Sequence, residues 1–551
     1  MNNFFNQFNT NTTQFTHFFT DRQPKKGGTI KALIVTLLVF IIFEYFTLLP
    51  INLKSPDFLM VLPFFIIGFT ILRSLLTASF DKVSKGGIVL SLCIVAYVFV
   101  GQFISSEIFN ASAYQQQLNV DKQADFYKDN EKVNYQSIPV VDRDSAQRLG
   151  DRKMGEIVEY VSQFEVDDEY SQINYNNKPY RVTTLSYSSL IKWFTNHKNG
   201  LPAYISVDMV TQESNVVRLN EGMKYSHSDL FFRNIDRHLR VNYPTLMFDT
   251  IAFEVDDQGV PYWIAPSYEY QIGLFGGKDI TGAVLVNAID GECQYYDIHE
   301  VPQWIDRVYT SELVLTQLNN WGKYTNGYLN TLFSQKGVLQ STDGYNYIAL
   351  NDDVYLFTGL TSISSDASNV GFALINLRTK ESKYYAISGA EEYSAMDSAE
   401  GKVQNLGYRA TFPILINAGG EATYFMSLKD DAGLVKQYAF VNVKKYTVVA
   451  TGDSVAEAEK AYYRLLKDNG INASGESIIE NAIEGKVVEL NNAVVSGNTY
   501  YYFMIEGDST IYIASVSSNN KLPLMKVGDH VKFEYDKNSV SVENIVSIEM
   551  K

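Results

Sequence analysis

Apolar and polar positions are distributed very unevenly along this chain of 551 residues. Three apolar stretches, 32–53, 58–79 and 88–108, come first, each about as long as a helix must be to cross a bilayer. Beyond them, short apolar runs alternate with polar turns, and only brief passages show helical spacing. The pattern predicts a three-helix transmembrane anchor carrying a large α+β region.

Basic residues orient the spans. Arg22, Lys25, Lys26 and Lys31 precede the first, Lys82 and Lys85 lie between the second and third, and Lys54 alone links the first to the second. Cytoplasmic flanks collect Lys and Arg, so the N-terminus reads as cytoplasmic and everything after Ile108 as extracytoplasmic. Span two carries Pro63 and Arg73. If that span failed to cross, the large region would be cytoplasmic. Arg73, near the inner end, is expected to snorkel to the headgroups. Glu44 lies six residues before Pro50, close enough to the outer boundary for water or a proton to reach it. The anchor has no paired charges or polar stripe, so no transport path is expected. The first apolar run follows about thirty polar residues without a small-residue cleavage site, which sets it apart from a cleaved signal peptide. Residues 1–20 are rich in Asn, Gln, Thr and Phe and read as disordered.

One pattern recurs four times in the large region. Apolar runs end at Asp208, Asn287, Asn376 and Asn442, spaced by 79, 89 and 66 residues. Each leads through a short polar turn to a second β-rich run, at 215–219, 293–298, 382–387 and 446–450. An Asp or Asn side chain can accept hydrogen bonds from the turn that follows, so each unit predicts a β-hairpin. The unequal spacings exclude a regular solenoid. Residues 246–255 and 261–268 add a strand pair around Asp256-Asp-Gln-Gly259, and 412–417 and 422–428 another around Gly419-Gly420. Helical spacing marks 229–240, stopped by Pro244, and 454–468, where Ser454-Val-Ala-Glu457 forms a capping box and Asn469-Gly470 the stop. Helix plus antiparallel strands is an α+β module.

Val207-Asp208 with Thr211, and Val286-Asn287 with Gly291, match the strand-turn-strand signature of the PepSY domain, which these units resemble. The match covers two modules near 145–300, and the later two diverge. The resemblance implies a small helix-and-sheet fold of secreted and membrane proteins and supplies no catalytic residues. The C-terminus differs. Five β runs, 486–495, 499–506, 510–516, 530–535 and 542–550, predict a small closed barrel resembling an OB-fold. Such barrels bind oligonucleotides or oligosaccharides on one face, and many only hold chains together. Tyr500, Tyr501, Tyr502 and Phe503 are the candidate binding residues there. Because a strand alternates faces, at most two of the four rings form a stacking platform, and core packing is the competing role.

Charge narrows the partners. The first 109 residues hold eight Lys/Arg and five Asp/Glu, leaving 38 against 57 in the remainder, a net of −19. That balance excludes a nucleic-acid footprint and opposes flat attachment to anionic lipid. Cys93 lies within a span and Cys293 is alone outside the anchor, so no disulfide staples the large region. A secreted domain without disulfides fits a Gram-positive surface. No nucleophile elbow, phosphate loop, zinc spacing or calcium loop is present, so no catalytic, cofactor-binding or metal residues are assigned. His227 and His238, at opposite ends of the 229–240 helix, are three turns apart and cannot share a metal ion. The pairs Asp167-Asp168, Asp256-Asp257, Asp352-Asp353 and Asp430-Asp431 read as solvated hairpin tips. Thirty-six tyrosines outside the anchor favour a binding or scaffold role.

The resulting organisation is a cytoplasmic leader at 1–31, the anchor at 32–108, a linker at 109–135, two PepSY-like modules at 136–325, two divergent β-rich modules at 326–468, a linker at 469–484 and the barrel at 485–551. The expected function is non-catalytic: binding, scaffolding or regulating an envelope protein or cell-wall polymer. The alternatives are an envelope hydrolase with a site between modules and an accessory subunit of a membrane complex. The sequence does not fix the oligomeric state.

Overall fold

The computed structural model describes residues 27–130, 138–350, 352–363, 365–471, 481–495, 498–516, 521–536 and 542–550. The leader at 1–20 and most of the 469–484 linker lie outside those residues. The anchor consists of α1 (Gly28–Thr47), α2 (Pro56–Thr77) and α3 (Lys82–Ile104), all long and apolar enough to cross a membrane. Ser55 caps α2 by accepting from the Phe58 N–H, with Pro56 in the first turn, while Asp81 caps α3. Arg73 does not snorkel. It is buried between helices and forms a bidentate pair with Asp81, both N–O distances being 2.7 Å, and also donates to Ser84 Oγ and Thr29 Oγ1. A planar guanidinium finds three acceptors on neighbouring helices there, which compensate for its removal from water.

Four sheets share one topology in the head region beyond the anchor. Each has two short strands that pair with opposite halves of a long strand, then two further antiparallel strands, the last of them shorter in all but the first sheet. In the first these are Phe164–Val166, Ser171–Tyr175, Lys178–Tyr187, Leu201–Asp208 and Ser214–Met223. A helix precedes every sheet: Arg143–Gly155, Ile235–Asn242, Ser311–Lys323 and Glu392–Lys402.

The closing Asp or Asn of each unit works as its chemistry dictates. Asp208 Oδ1 accepts from the Val210 and Thr211 N–H groups, Asn287 Oδ1 from Ile289, Asn376 Oδ1 from Arg378 and Thr379, and Asn442 Oδ1 from Lys444 and Lys445. In every copy the next residue (Met209, Ala288, Leu377, Val443) donates its N–H to the first long strand. Its carbonyl accepts from the segment entering that module, at Val140, Tyr225, Tyr309 and Ala390. The Asp or Asn side chain therefore closes the hairpin, and the backbone of the residue after it fixes where the module begins.

The sheets close into a ring. One core joins sheets one, two and four, a second joins two and three around the Ser311–Lys323 helix, and a third joins three and four around the Glu392–Lys402 helix. Closure between first and last modules adds polar contacts to the shared core: Asp142 pairs with Lys429, Ser145 Oγ donates to the Gly433 carbonyl at 3.0 Å, and Ser427 Oγ to that of Val140 at 2.7 Å.

Three expectations need correction. The described part of the expected 109–135 linker, residues 109–130, is not free. The α4 helix (Glu107–Gln115) continues α3, Val120–Asp121 adds a parallel strand to the third sheet, and Leu118, Val120 and Phe126 are buried in two of the cores. The helix expected at 229–240 runs over Ile235–Asn242, because the Asn234 side chain caps it by accepting from Arg237 N–H. His227 therefore lies outside that helix. Asp353 is not a hairpin tip either; it is buried in a strand and held by Arg378 at 2.6 and 2.8 Å.

The C-terminal strands Asn481–Val495, Asn498–Ile505, Ile511–Ser515, His530–Asp536 and Val542–Met550 form a closed barrel. The third and fifth pair in parallel, and every other neighbour is antiparallel. Among the described residues, its core draws only on barrel residues. The first strand begins at Asn481, ahead of the boundary expected at 485.

Candidate functional site: a cleft between the first two modules

The expected aromatic platform divides between two faces. Phe503 is buried in the barrel and Tyr501 packs against the same core, whereas Tyr500 and Tyr502 lie on the other face, half-buried. Two rings remain for a surface, as strand alternation requires.

A cleft elsewhere gathers more chemistry. Its inner cavity, about 160 Å³, is lined by Tyr170, Phe253 and Trp263, by Arg143 and Arg307, and by Ser171, Thr250 and Thr310. An outer basin of about 450 Å³ shares Asp167, Glu169 and His227 with it and adds Glu165 and Asp168. Asp167, Asp168 and Glu169 come from the turn between the first two strands of sheet one, and Glu165 from the first of those strands. That turn is pinned: the buried Thr183 hydroxyl lies 3.1 Å from the Asp167 carbonyl and 2.8 Å from that of Glu169, and the Glu169 N–H donates to Asp167 Oδ1. Arg143 donates to the Asp168 carbonyl at 2.9 Å. The acidic rim is thus held in place with no Lys or Arg ion pair to its side chains among the described residues.

His227 stands on the opposite wall. Nδ1 donates to Asp236 Oδ2 at 3.0 Å, and the ring meets Trp263 edge-on at 4.7 Å between centroids. Burial disfavours its charged form, but the hydrogen bond and charge of Asp236, helped by Glu169 and Asp167, outweigh that and raise its pKa. His238 faces away, bonding the Gly291 carbonyl at 2.8 Å and meeting Cys293 Sγ at 3.3 Å. Burial pushes that thiol up to about 11, so it is not a nucleophile at neutral pH.

Behind the cleft lies a buried polar hub. The Asp306 and Arg307 N–H groups donate to the two oxygens of Glu254 at 2.9 and 3.0 Å, and the Asn174 N–H donates to Asp306 Oδ2 at 2.6 Å. Burial and the charge of Glu254 raise the Asp306 pKa well above the carboxylate range, and burial raises Glu254 to about 8. Because Glu254 already accepts two N–H bonds while Asp306 Oδ1 has no partner among the described residues, the proton the pair retains belongs on Asp306. Arg307 connects hub and cleft: its backbone holds Glu254, its guanidinium lies 5.6 Å from the Tyr347 ring centre, and its Nε has no partner among the described residues.

The arrangement can hold opposite charges together, a cationic group at the acidic rim and an anionic one at Arg143 and Arg307. Sequence reading takes Asp167 and Asp168 as a solvated hairpin tip, weighs His227 only against a metal role, and passes over Glu169, Arg143 and Arg307, because the cleft draws on three modules. The recurring triplets Val141-Asp-Arg143, Ile235-Asp-Arg237 and Ile305-Asp-Arg307 were the available signal, as each contributes to the cleft, its wall or its hub.

No protein-family model matches the chain, and no curated protein matches it. Among solved structures, a levansucrase mutant of B. megaterium is 10% identical, with 79% of this chain and 98% of that one covered and a TM-score of 0.18. A Bacillus subtilis levansucrase mutant is 8% identical, covering 76% and 98%, with a TM-score of 0.16. The polysaccharide lyase Uly1 is also 8% identical, covering 69% and 89%, with a TM-score of 0.16. Superpositions this loose transfer neither fold nor activity.

Proposed function

We propose that this is a membrane-anchored, extracytoplasmic binding and regulatory protein of the cell envelope, with its N-terminus in the cytoplasm and a ligand site in the cleft between its first two modules. The observation that carries the reading is the pinned acidic rim facing two arginines across an aromatic floor. A zwitterionic ligand, such as a free amino acid or a peptide terminus of an envelope protein or polymer, satisfies both ends. The Asx-closed hairpins support a PepSY-like reading of the modules, and the barrel's strand order, with its single parallel pair, an OB-like one. A photoreactive residue at Ser186, at the basin's edge, should yield an adduct in native membranes that Arg307→Ala or Glu169→Gln abolishes. Adduct formation no higher than at a site on the fourth module, or insensitive to both variants, would sink the reading.

An envelope hydrolase is the second reading, favoured by the His227–Asp236 pair on the cleft wall, which has the form of an oriented general base. It requires a turnover that His227→Gln removes while ligand binding persists.

A further inference from the structure

The head region carries bulky apolar side chains in the open, and they gather where the chain leaves the membrane. The Leu190–Asn196 helix turns Trp193 inward but exposes Leu190, Ile191 and Phe194 by 64, 73 and 66%. Phe231 and Phe232 extend this patch, with Phe231 6.0 Å from Trp193 between ring centres. Phe232 in turn lies 6.4 Å from Tyr45, two residues before the end of α1, and the Arg237 guanidinium sits 4.2 Å over the Tyr45 ring. The patch is therefore continuous with a membrane-spanning helix. A second patch flanks α3: Phe109 of α4 is 5.1 Å from Phe103, and Phe333 stands 81% exposed at the end of the Tyr328–Leu332 helix, which packs on α4.

Charge agrees with the placement. Residues 190–198 and 231–240 hold Lys192, Lys198, Arg233, Arg237 and Arg240 against Asp236 alone. The net charge of −19 beyond the first 109 residues opposes lipid attachment for the region as a whole, but this face runs the other way. Exposed Leu, Ile and Phe ringed by cations and continuous with a span is the composition of a segment lying in the bilayer interface.

We propose that the head rests on the leaflet at the head-side ends of the three spans, with the Leu190–Asn196 helix and the Phe231-Phe232 pair inserted at the boundary between headgroups and acyl chains. Lipid is the occupant because the patch begins at Tyr45, inside a span that already lies in lipid. The head is then held to the membrane by its own surface as well as by its helices.

The test uses the full chain in phosphatidylcholine–phosphatidylglycerol vesicles, with Cys93→Ser and Cys293→Ala, and nitroxides placed one at a time at Phe194→Cys, Phe232→Cys and Lys402→Cys. Lys402 belongs to the fourth module, across the ring from the second. Interfacial insertion predicts an oxygen-to-nickel-chelate collision ratio about threefold or more higher at 194 and 232 than at 402. Equal ratios would mean that the patch faces water and would overturn the proposal. Low collision with both reagents, together with spin–spin broadening that disappears on dilution with unlabelled protein, would show a second copy as the occupant and overturn it equally.

Discussion

Arg240 donates from Nε to the carbonyl of Leu48 at 2.8 Å, joining the helix of the second module to the residue that caps the first span. Around this bond, the Ile51 N–H donates to the Pro244 carbonyl, Asn52 Nδ2 to that of Thr245, and Ser105 Oγ accepts from Leu274 and Phe275 N–H. Lys54 pairs with Glu269 at 2.9 Å. The head is seated on the bundle through its second module, so motion of a span end reaches that module directly.

Arg240→Ala should leave several carbonyls without their charged donor and cost about 1–3 kcal/mol locally. Hydrogen exchange is the measurement. Protection should fall over 45–54 and 240–246 and stay unchanged in the fourth module. A uniform loss would mean that Arg240 supports the whole ring.

Orientation is tested by thiol labelling in the same cysteine-free background. Lys336→Cys, on an exposed loop of the third module, should react with an impermeant reagent on intact cells, and Lys85→Cys only after lysis. Ser84, beside it, is buried against Arg73 and would report nothing. The opposite pattern would place the cleft in the cytoplasm.

The hairpin-closing side chains should rank by the bonds they make. Asn376 accepts two backbone N–H bonds and donates to the buried Asp353 at 2.9 Å, whereas Asn287 accepts one such bond. Asn376→Ala should cost about 2–4 kcal/mol and Asn287→Ala about 1 kcal/mol by denaturant titration. Equal losses would mean that the hairpins are held by their strands alone.

The hub imposes a pH dependence of known sign. The pKa values of Glu254 and Asp306 are raised on folding, so the folded state retains a proton that the unfolded chain releases above the ordinary carboxylate values of 4.5 and 3.8. Their contribution to stability is greatest at acid pH and declines as pH rises from about 4.5 towards 8, by at most about 1.4 kcal/mol per pH unit for each retained proton. Asp142 opposes this, because Lys429 and Ser145 lower its pKa against burial and its contribution is lost on acidification below 3.8. Asp306→Asn should flatten the decline between pH 5 and 8. An unchanged slope would place the proton elsewhere.

What could be read from the chain follows a physical divide. The spans, the four closing Asp or Asn residues, the capped helix at 454–468 and the barrel strands are local signals carried by neighbours in sequence. Ser454 Oγ does accept from the Glu457 N–H, and Gly470 follows with φ 70°. The cleft, the hub and the ring closure depend on pairs such as Asn174 with Asp306, separated by 132 positions, which leave no periodic trace. Residues 109–135 misled because Gln115-Gln-Gln117 and the charges around them read as solvated, while Leu118 and Val120 enter one core and Phe126 another. Isolated apolar residues in a polar stretch carry no period.

Ring closure also sets a timetable for synthesis. Asp142 and Lys429 are 287 positions apart, so at ordinary elongation rates the segment entering the first module waits roughly 15–60 s for its partner. The second module, by contrast, meets the ends of spans made before it and can dock early. The nascent chain therefore spends its long interval as an open arc fixed at the membrane, with the face that sheet four will cover still wet. A chaperone acting on this protein has its substrate there, and a ribosome stalled between the third and fourth modules would leave a membrane-bound product with an apolar face that nothing later in the chain can cover.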